Sequence, residues 1–371
     1  MNALSWQRMF SVGRKELIHI LRDPQTLFFT LFFPILEMFL LGYAIDTNVR
    51  DVKTIIVDHA GTQESRKLLE AFENSHNFKI VGRGFTDAAV SDAMVKGTAR
   101  VGIIIPQDYS QKLEAGQTAQ ILIVVDGTLS AIAAEAVNVG NAIALRESLE
   151  RALGGKPLPV EARPRVLFNP DTRSPNFFIP GLVVVMCQMM ATMLSANAIV
   201  REKENGTLEQ LYMTPVKRGE LILGKMMPYL VLTNLEFCLI VFLMWLAFGV
   251  PIHGYFITLL LIALPFMLCN LGFGLLVSTK AETREAAGQM VMGTLLPSIF
   301  LSGYVFAMDS MPPIFWWIGQ FIPTTWLIDA SRGVILRGAG WQELWVHAAV
   351  LWAMALAMIA FTSIKVRKQL A

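Results

Sequence analysis

The sequence predicts an α-helical membrane protein of six transmembrane helices, with an extracytoplasmic α/β domain inserted between spans one and two. Three observations predict it. Hydrophobic residues make up 54% of the 371-residue chain and charged residues 16%, and the mean hydropathy is +0.50. A soluble domain of this length needs far more charge to cover its surface. Six stretches approach the ~20 apolar residues that cross a ~30 Å hydrocarbon core. One long polar segment, 46–175, interrupts them.

The elements follow in order. Residues 1–24 hold Trp6, Met9, Phe10, Leu17, Ile20 and Leu21 at helical spacing, with Arg8, Arg14, Lys15 and Arg22 between them. This is a basic amphipathic helix that lies on a membrane surface, and it lacks the form of a signal peptide. Span one is 25–45, with "TLFFTLFFPILEMFLLGYAI" as its apolar run. Residues 46–175 then alternate β-branched runs at 53–58, 78–83, 101–106 and 119–127 with amphipathic stretches, and end in a long helix at about 129–153. Strands alternating with helices predict a small α/β domain. Asp58, His59 and Asp126 sit at strand ends, but no nucleophile with a positioned base accompanies them.

Residues 176–371 form the rest of the bundle. Its apolar runs are 178–200, 221–248, 255–278, 287–307 and 343–364. Before the last lies "MPPIFWWIGQFIPTTWLIDASRGVIL", whose prolines and glycines leave no unbroken span. It predicts a re-entrant segment, 309–336, of short helices with Trp316, Trp317 and Trp326 at interface depth.

Lysines and arginines set the orientation. They precede span one, lie between spans two and three (Arg201, Lys203, Lys217, Arg218) and four and five (Lys280, Arg284), and follow span six (Lys365, Arg367, Lys368). The turn after span three, "GVPIHG", has none. Both termini are therefore cytoplasmic and 46–175 lies outside; Arg332 and Arg337 are the discordant pair. Cys187, Cys238 and Cys269 all fall in apolar runs, and the five histidines are scattered, which argues against a disulfide framework or a metal site.

The most polar run of the bundle is "REKENGTLEQLYMTPVKRGE", 201–220. Gly206 suits the left-handed stop of span two. Thr207 and Gln210 have capping-box spacing, so a new helix starts at once. Thr214–Pro215 ends it. Glu202, Glu204 and Glu209 make it acidic, and Leu208, Leu211, Tyr212 and Met213 give it an apolar face. A short rigid helix there suits force transmission, which a floppy loop would absorb. Nearby, "GELILGKM" has P-loop form but carries Met226 where Ser or Thr must hold Mg²⁺, and it opens an apolar span instead of following a strand. If ATP drives the protein, another chain binds it. The sequon "NGT" at 205–207 falls on the cytoplasmic side.

The chain resembles the ABC-2-type permeases, the membrane subunits of ATP-binding-cassette exporters, and within them the multidrug-type branch with a large extracytoplasmic domain. Glu204, Gly206, Thr207, Glu209, Leu211 and Pro215 match the E-x-G-T-x-E-x-L-x-x-x-P core. The N-terminal helix, the insertion after span one, "VLFNPDTRSPNFFIPGL" and the broken "PPIFWWIGQFIPTTW" extend the resemblance over essentially the whole chain. The resemblance implies a dimer with a second permease copy or paralogue, bound to two nucleotide-binding ATPase subunits that carry the ATP and Mg²⁺; no cofactor is bound by this chain. It implies a coupling helix at 202–213, with Glu202, Glu204, Gly206, Thr207, Glu209, Gln210, Leu211, Met213 and Pro215 meeting the ATPase, and a connecting helix at 1–24 that touches the same partner. It implies a bacterial inner-membrane location, with membrane lipids and in some systems a periplasmic adaptor as further partners, and no nucleic acid. The cargo implied is lipophilic or amphipathic and drug-like.

Two intramembrane carboxylates stand apart. Glu37 follows Pro34 in span one, and Glu236 lies beside Asn234 in span three. A charge at the bilayer centre is disfavoured by roughly 2.5–3.5 kcal/mol, so each should face a partner or a wet cavity, and both are candidates for the substrate path. Export of a lipid, glycan or ion is the alternative within the family. A proton-coupled secondary transporter using Glu37 and Glu236 is the alternative outside it, though such carriers show an internal repeat that is not visible here.

Overall fold

The computed structural model describes residues 5–44, 51–128, 130–153, 167–170, 173–206 and 218–369. They divide between two compact units, one built from 1–46 and 166–371, the other from 47–165.

The first unit opens with α1 (Trp6–Leu21) and α2 (Pro24–Ala44). On α1 the buried residues are Met9, Val12, Glu16 and Ile20, a three-to-four-residue spacing that turns one stripe inward. Proline at the first position of α2 separates the two helices, since its ring suits a helix start and cannot continue a preceding one.

The second unit runs β1 (Val52–Asp58), α3 (Gln63–Asn74), β2 (Phe78–Gly84), α4 (Asp87–Val95), β3 (Val101–Ile105), α5 (Tyr109–Glu114), β4 (Leu122–Val125) and α6 (Ser130–Leu153). The sheet order is β2-β1-β3-β4. β1 is parallel to both neighbours and β4 is antiparallel on β3. Ile56, Val101, Ile103 and Ile105 pack with Leu68, Leu69 and Phe72 of α3 on one face. Val57 and Ile104 pack with Val90 of α4 on the other. All of β3 is buried, as a strand covered on both faces must be.

The strand-end acids are structural. Asp58 accepts the Ala60 and Gly61 amides at 3.0 Å and the Ser65 hydroxyl at 2.7 Å, which anchors the start of α3. Asp126 accepts from the Thr128 hydroxyl and amide and pairs with Arg100, which together lower its carboxyl to about 2.

The first unit resumes with α7 (Ser174–Glu204), α8 (Arg218–Phe248), α9 (Phe256–Lys280) and α10 (Arg284–Leu301). A 3₁₀ turn (Met308–Ser310), α11 (Pro313–Gln320), α12 (Pro323–Arg332), a π-helical turn (Gly333–Arg337) and α13 (Trp341–Gln369) complete it. Among the described residues, α7, α8, α9 and α13 are long and apolar enough to cross a membrane, and Thr30–Tyr43 of α2 is a shorter apolar helical stretch. α7 is the most enclosed of the four and α13 the least. Between α7, α10 and α12, the side-chain Oε1 of Gln188 accepts the Ser298 hydroxyl at 2.9 Å and the Thr324 hydroxyl at 2.6 Å. Such polar ties hold helices together where lipid offers no hydrophobic drive to associate.

Three boundaries differ from the sequence reading. The apolar run 287–307 is helical only to Leu301: Gly303 takes φ +82, and Arg332 donates to the Gly303 carbonyl at 2.9 Å. Arg332 also stacks 3.9 Å from the Phe177 ring centroid, so this discordant cation caps a helix end. The re-entrant segment contains a π turn whose displaced carbonyls are used. Val334 and Ile335 accept the Gly254 and His253 amides at 2.9 and 3.1 Å. Finally, Glu202, Lys203 and Glu204 belong to the last turn of α7 and not to a separate helix. Asn205 caps that helix, with Gly206 next at φ +66. A side chain at Gly206 would strain this left-handed stop. Thr207, Glu209, Gln210, Leu211, Met213 and Pro215 lie outside the described residues.

Candidate functional site

At roughly 1.5 Å per residue, the 31-residue α7 is about 46 Å long, well beyond a ~30 Å hydrocarbon core. The surplus carries "REKE", 201–204, and each of these four side chains grips a different part of the unit. Arg201 donates to Asp23, between α1 and α2, at 2.9 Å. Glu202 accepts from Lys225 of α8 at 3.0 Å and from Lys15 of α1 at 3.3 Å. Lys203 reaches the carbonyls of Ser278 and Thr279 in the last turn of α9 and of its C-cap Ala281, at 3.2, 3.1 and 3.0 Å. A lysine there satisfies orphan acceptors and complements the negative helix end. Glu204 pairs with the Arg284 guanidinium at 2.7 Å and accepts its amide at 2.9 Å, at the positive end of α10.

Lys225 is the centre of this hub. It is 1% exposed, and Glu16 and Glu202 are 4% and 5% exposed. Its ammonium has three protons and three acceptors: Glu16 at 2.7 Å, Glu202 at 3.0 Å and the Ala198 carbonyl at 3.1 Å. Tyr229 donates to the second oxygen of Glu16 at 3.1 Å. Two cations, Lys15 and Lys225, balance two carboxylates, which is the condition for burying charge. Burial alone would raise the Glu16 carboxyl. The Lys225 charge and hydrogen bond, the Tyr229 hydroxyl and Lys15 outweigh it and hold the group below its ordinary value.

The same contacts pin α1 along α8, the two helices running in the same direction. The Ser5 amide donates to Glu220 at 2.7 Å in the first turn of α8. At the crossing, a Cβ on Gly224 would meet the Met9 carbonyl at 2.8 Å, and one on Gly13 would meet the Gly224 carbonyl at 3.2 Å. That carbonyl lacks its usual helical donor, because Pro228 stands four residues on and has no N–H. "GELILGKM" is thus a packing sequence: its glycine admits α1 and its lysine is committed to Glu16 and Glu202.

A cavity of about 450 Å³ opens beside the hub. Phe33 of α2, Met189, Met193 and Asn197 of α7, and Met292 of α10 line it, with Asp23 and Arg284 at the charged end. Two hub residues are therefore also cavity residues. Asn197 Oδ1 is buried and meets no hydrogen-bond donor among the described residues. Methionine-rich walls adapt to varied apolar shapes.

The candidate carboxylates lie elsewhere. Neither Glu37 nor Glu236 lines this cavity. Glu236 is fully buried with both oxygens unpartnered among the described residues, and one Glu37 oxygen is likewise unpartnered. Sequence reasoning missed Glu16, Lys225, Tyr229, Asp23 and Arg284. One signal was present: Glu16 falls on the inward apolar stripe of α1, where an acid needs a buried cation.

The sequence profile described as "ABC-2 family transporter protein" matches residues 24–364. The chain is 29% identical to "Probable multidrug ABC transporter permease YbhS" of Escherichia coli (strain K12), covering 99% of this chain and 98% of that protein. It is 26% identical to "Probable multidrug ABC transporter permease YbhR" of the same organism, over 92% and 94% of the two chains. It is 23% identical to "ABC transporter G family member 20" of Dictyostelium discoideum, over 94% of this chain and 50% of that one. A mostly helical chain with membrane-length helices, matched by this profile over nearly its whole length, belongs to the ABC-2 family of ABC transporter membrane proteins.

Proposed function

We propose that this chain is the permease half of an exporter driven by ATP hydrolysed on separate subunits, and that it moves lipophilic or amphipathic, drug-like compounds out of the cytoplasm. In this reading α2 and α10 join α7, α8, α9 and α13 as six spans. Both termini are cytoplasmic, 46–175 is extracytoplasmic, two permease copies pair, and the chain has no ATPase site of its own. Of the stretch 202–213, the part beyond Gly206 meets the ATPase, since Glu202 is buried against Lys225 and Glu204 is held by Arg284.

The observation that carries the proposal is the hub. A displacement delivered just after Gly206 acts directly on the α7 terminus, which is bonded to the α1–α2 junction, α8, α9 and α10 at once. Because packed elements shift between discrete arrangements, such a joint turns a small push into a rigid-body change. Asp23 and Arg284 extend the joint to the rim of the cavity, whose methionine-rich wall suits apolar cargo. The names carried by the two E. coli relatives point to the same cargo class.

The test is co-purification with a candidate ATPase subunit, followed by cargo-stimulated ATP hydrolysis. Gly206→Pro and Glu209→Lys are expected to abolish assembly or stimulation; if both leave them intact, the coupling assignment fails. The unpartnered Glu236 favours one second reading, a proton-driven carrier. That reading requires transport on a proton gradient with no ATPase present.

A further inference from the structure

We propose that the groove between α1 and α8 binds an anionic phospholipid, one acyl chain lying in the groove and the phosphate resting on Arg14. α1 carries two apolar stripes. The inward one is consumed by α8 and the hub. The second, Trp6, Phe10 and Leu17, points away from the protein and is 74%, 75% and 42% exposed. Across from it, Met227 and Val231 of α8 are 48% and 57% exposed. Between the two stripes lies a groove of about 330 Å³, floored by Gly13 and Pro228. Among the described residues its lining includes one charged side chain, Arg14, and no acid. Arg14 makes no ion pair with a described residue, whereas Lys15, the next residue, is held by Glu202.

An apolar slot with a single unmatched cation at its edge fits an amphiphilic anion. Two features select a membrane lipid over a soluble one. The α8 stripe continues at Leu235, 60% exposed, along a helix long and apolar enough to cross the membrane, so the groove opens onto hydrocarbon. Arg14 borders the outward stripe of an amphipathic helix, the level at which lipid phosphates lie. A guanidinium binds phosphate in a planar two-point contact, which lysine does not reproduce.

The position gives the lipid a consequence. The groove lies against the Gly13–Gly224 crossing, one helical turn from Glu16 and Lys225. A bound chain fills the wedge between α1 and α8 and holds α1 on the hub; an empty groove leaves that face of α1 unsupported. This rests on α8 crossing the membrane, and it does not depend on ATP coupling.

The experiment places the full chain, without ATP or partner subunits, in vesicles of equal phosphatidylglycerol and phosphatidylcholine. The lipid retained after mild solubilisation is then counted by mass spectrometry. The wild-type chain is expected to retain phosphatidylglycerol preferentially. Arg14→Gln should lower that preference roughly fivefold, the weight of one basic residue at an anionic surface. Val231→Trp, or Met227→Trp from the adjacent turn, should fill the groove and reduce retention of both lipids while the protein elutes as wild type. Arg22→Gln removes an exposed cation that does not line the groove and should change nothing. The proposal is overturned if Arg22→Gln matches Arg14→Gln, which would mean diffuse surface charge. It is also overturned if both tryptophan variants retain lipid normally. Displacement of the lipid by an added ATPase subunit would assign the groove to a protein partner instead.

Discussion

Lys225 and Glu16 lie 209 positions apart in the chain and 2.7 Å apart in the fold, both almost completely buried. Their pairing joins the N-terminal helix to α8, and the shared bond to Glu202 adds α7. Removing one partner is expected to do more harm than removing the pair. Lys225→Met leaves Glu16 without its bonded cation and Glu202 with Lys15 alone, and should destabilise the unit by about 3–5 kcal/mol. Adding Glu16→Gln to Lys225→Met should recover part of the loss. Thermal unfolding of the purified chain in detergent measures both; equal or additive losses would argue against a coupled cluster.

The α1–α8 crossing makes a steric prediction. Gly224→Leu places a side chain where only 2.8 Å separates the ideal Cβ from the Met9 carbonyl, so α1 must move. A cysteine substituted for the buried Val12 should then become reactive to a soluble maleimide. The chain should still insert, since the span itself is unchanged. Continued protection of that cysteine would show that the crossing tolerates the volume.

Glu204 and Arg284 form the most exposed arm of the hub, with side chains 30% and 44% exposed. Arg284→Glu is expected to lose at most about 1 kcal/mol of stability, the range for accessible ion pairs. Its effect on cargo-stimulated ATP hydrolysis should be larger, because Arg284 also lines the cavity. The swap Glu204→Arg with Arg284→Glu should restore part of the coupling. If neither variant alters coupling, the arm is only a helix cap.

Glu236 separates the two transport readings. Neither of its oxygens has a partner among the described residues, so Glu236→Gln removes a titratable proton and no hydrogen bond seen in the structure. ATP-driven transport should persist in this variant with little change. Loss of uphill transport together with its proton dependence would favour the carrier reading.

The α/β unit has a defined acid response at Asp126. Its carboxyl is held at about 2 against an ordinary 3.8, first by the Thr128 hydroxyl, then by the Thr128 amide and Arg100. A folded-state value below the unfolded one stabilises above 3.8, and that stabilisation is lost as pH falls toward 2. Asp126→Asn should therefore weaken the β3–β4 edge at neutral pH and flatten its acid dependence. Hydrogen exchange of the Asp126 amide, bonded to the Arg100 carbonyl at 2.9 Å, reads this directly.

Much of the architecture was written locally. Long apolar runs announced the membrane-length helices, because each span must satisfy its own backbone and its own insertion energy. The α1 helix was visible in the spacing of Met9 and Ile20, and two strands fall within the β-branched runs while β1 and β2 overrun theirs by one residue. Gly206 announced its own turn, since the residue type and the left-handed conformation are linked at a single position. Local pattern sufficed for the class of protein, most of its helices and the punctuation at 205–206. What "REKE" holds emerged only with packing. The family resemblance set 202–204 at the start of a separate coupling helix; folded, these residues and Arg201 are the last turn of α7, bonded in four directions. The reason is physical: periodicity and turn chemistry act over a few residues, whereas the pairing of Lys225 with Glu16 depends on two helices crossing at Gly13 and Gly224. A buried charge states in sequence that it needs a partner, and only packing chooses which one.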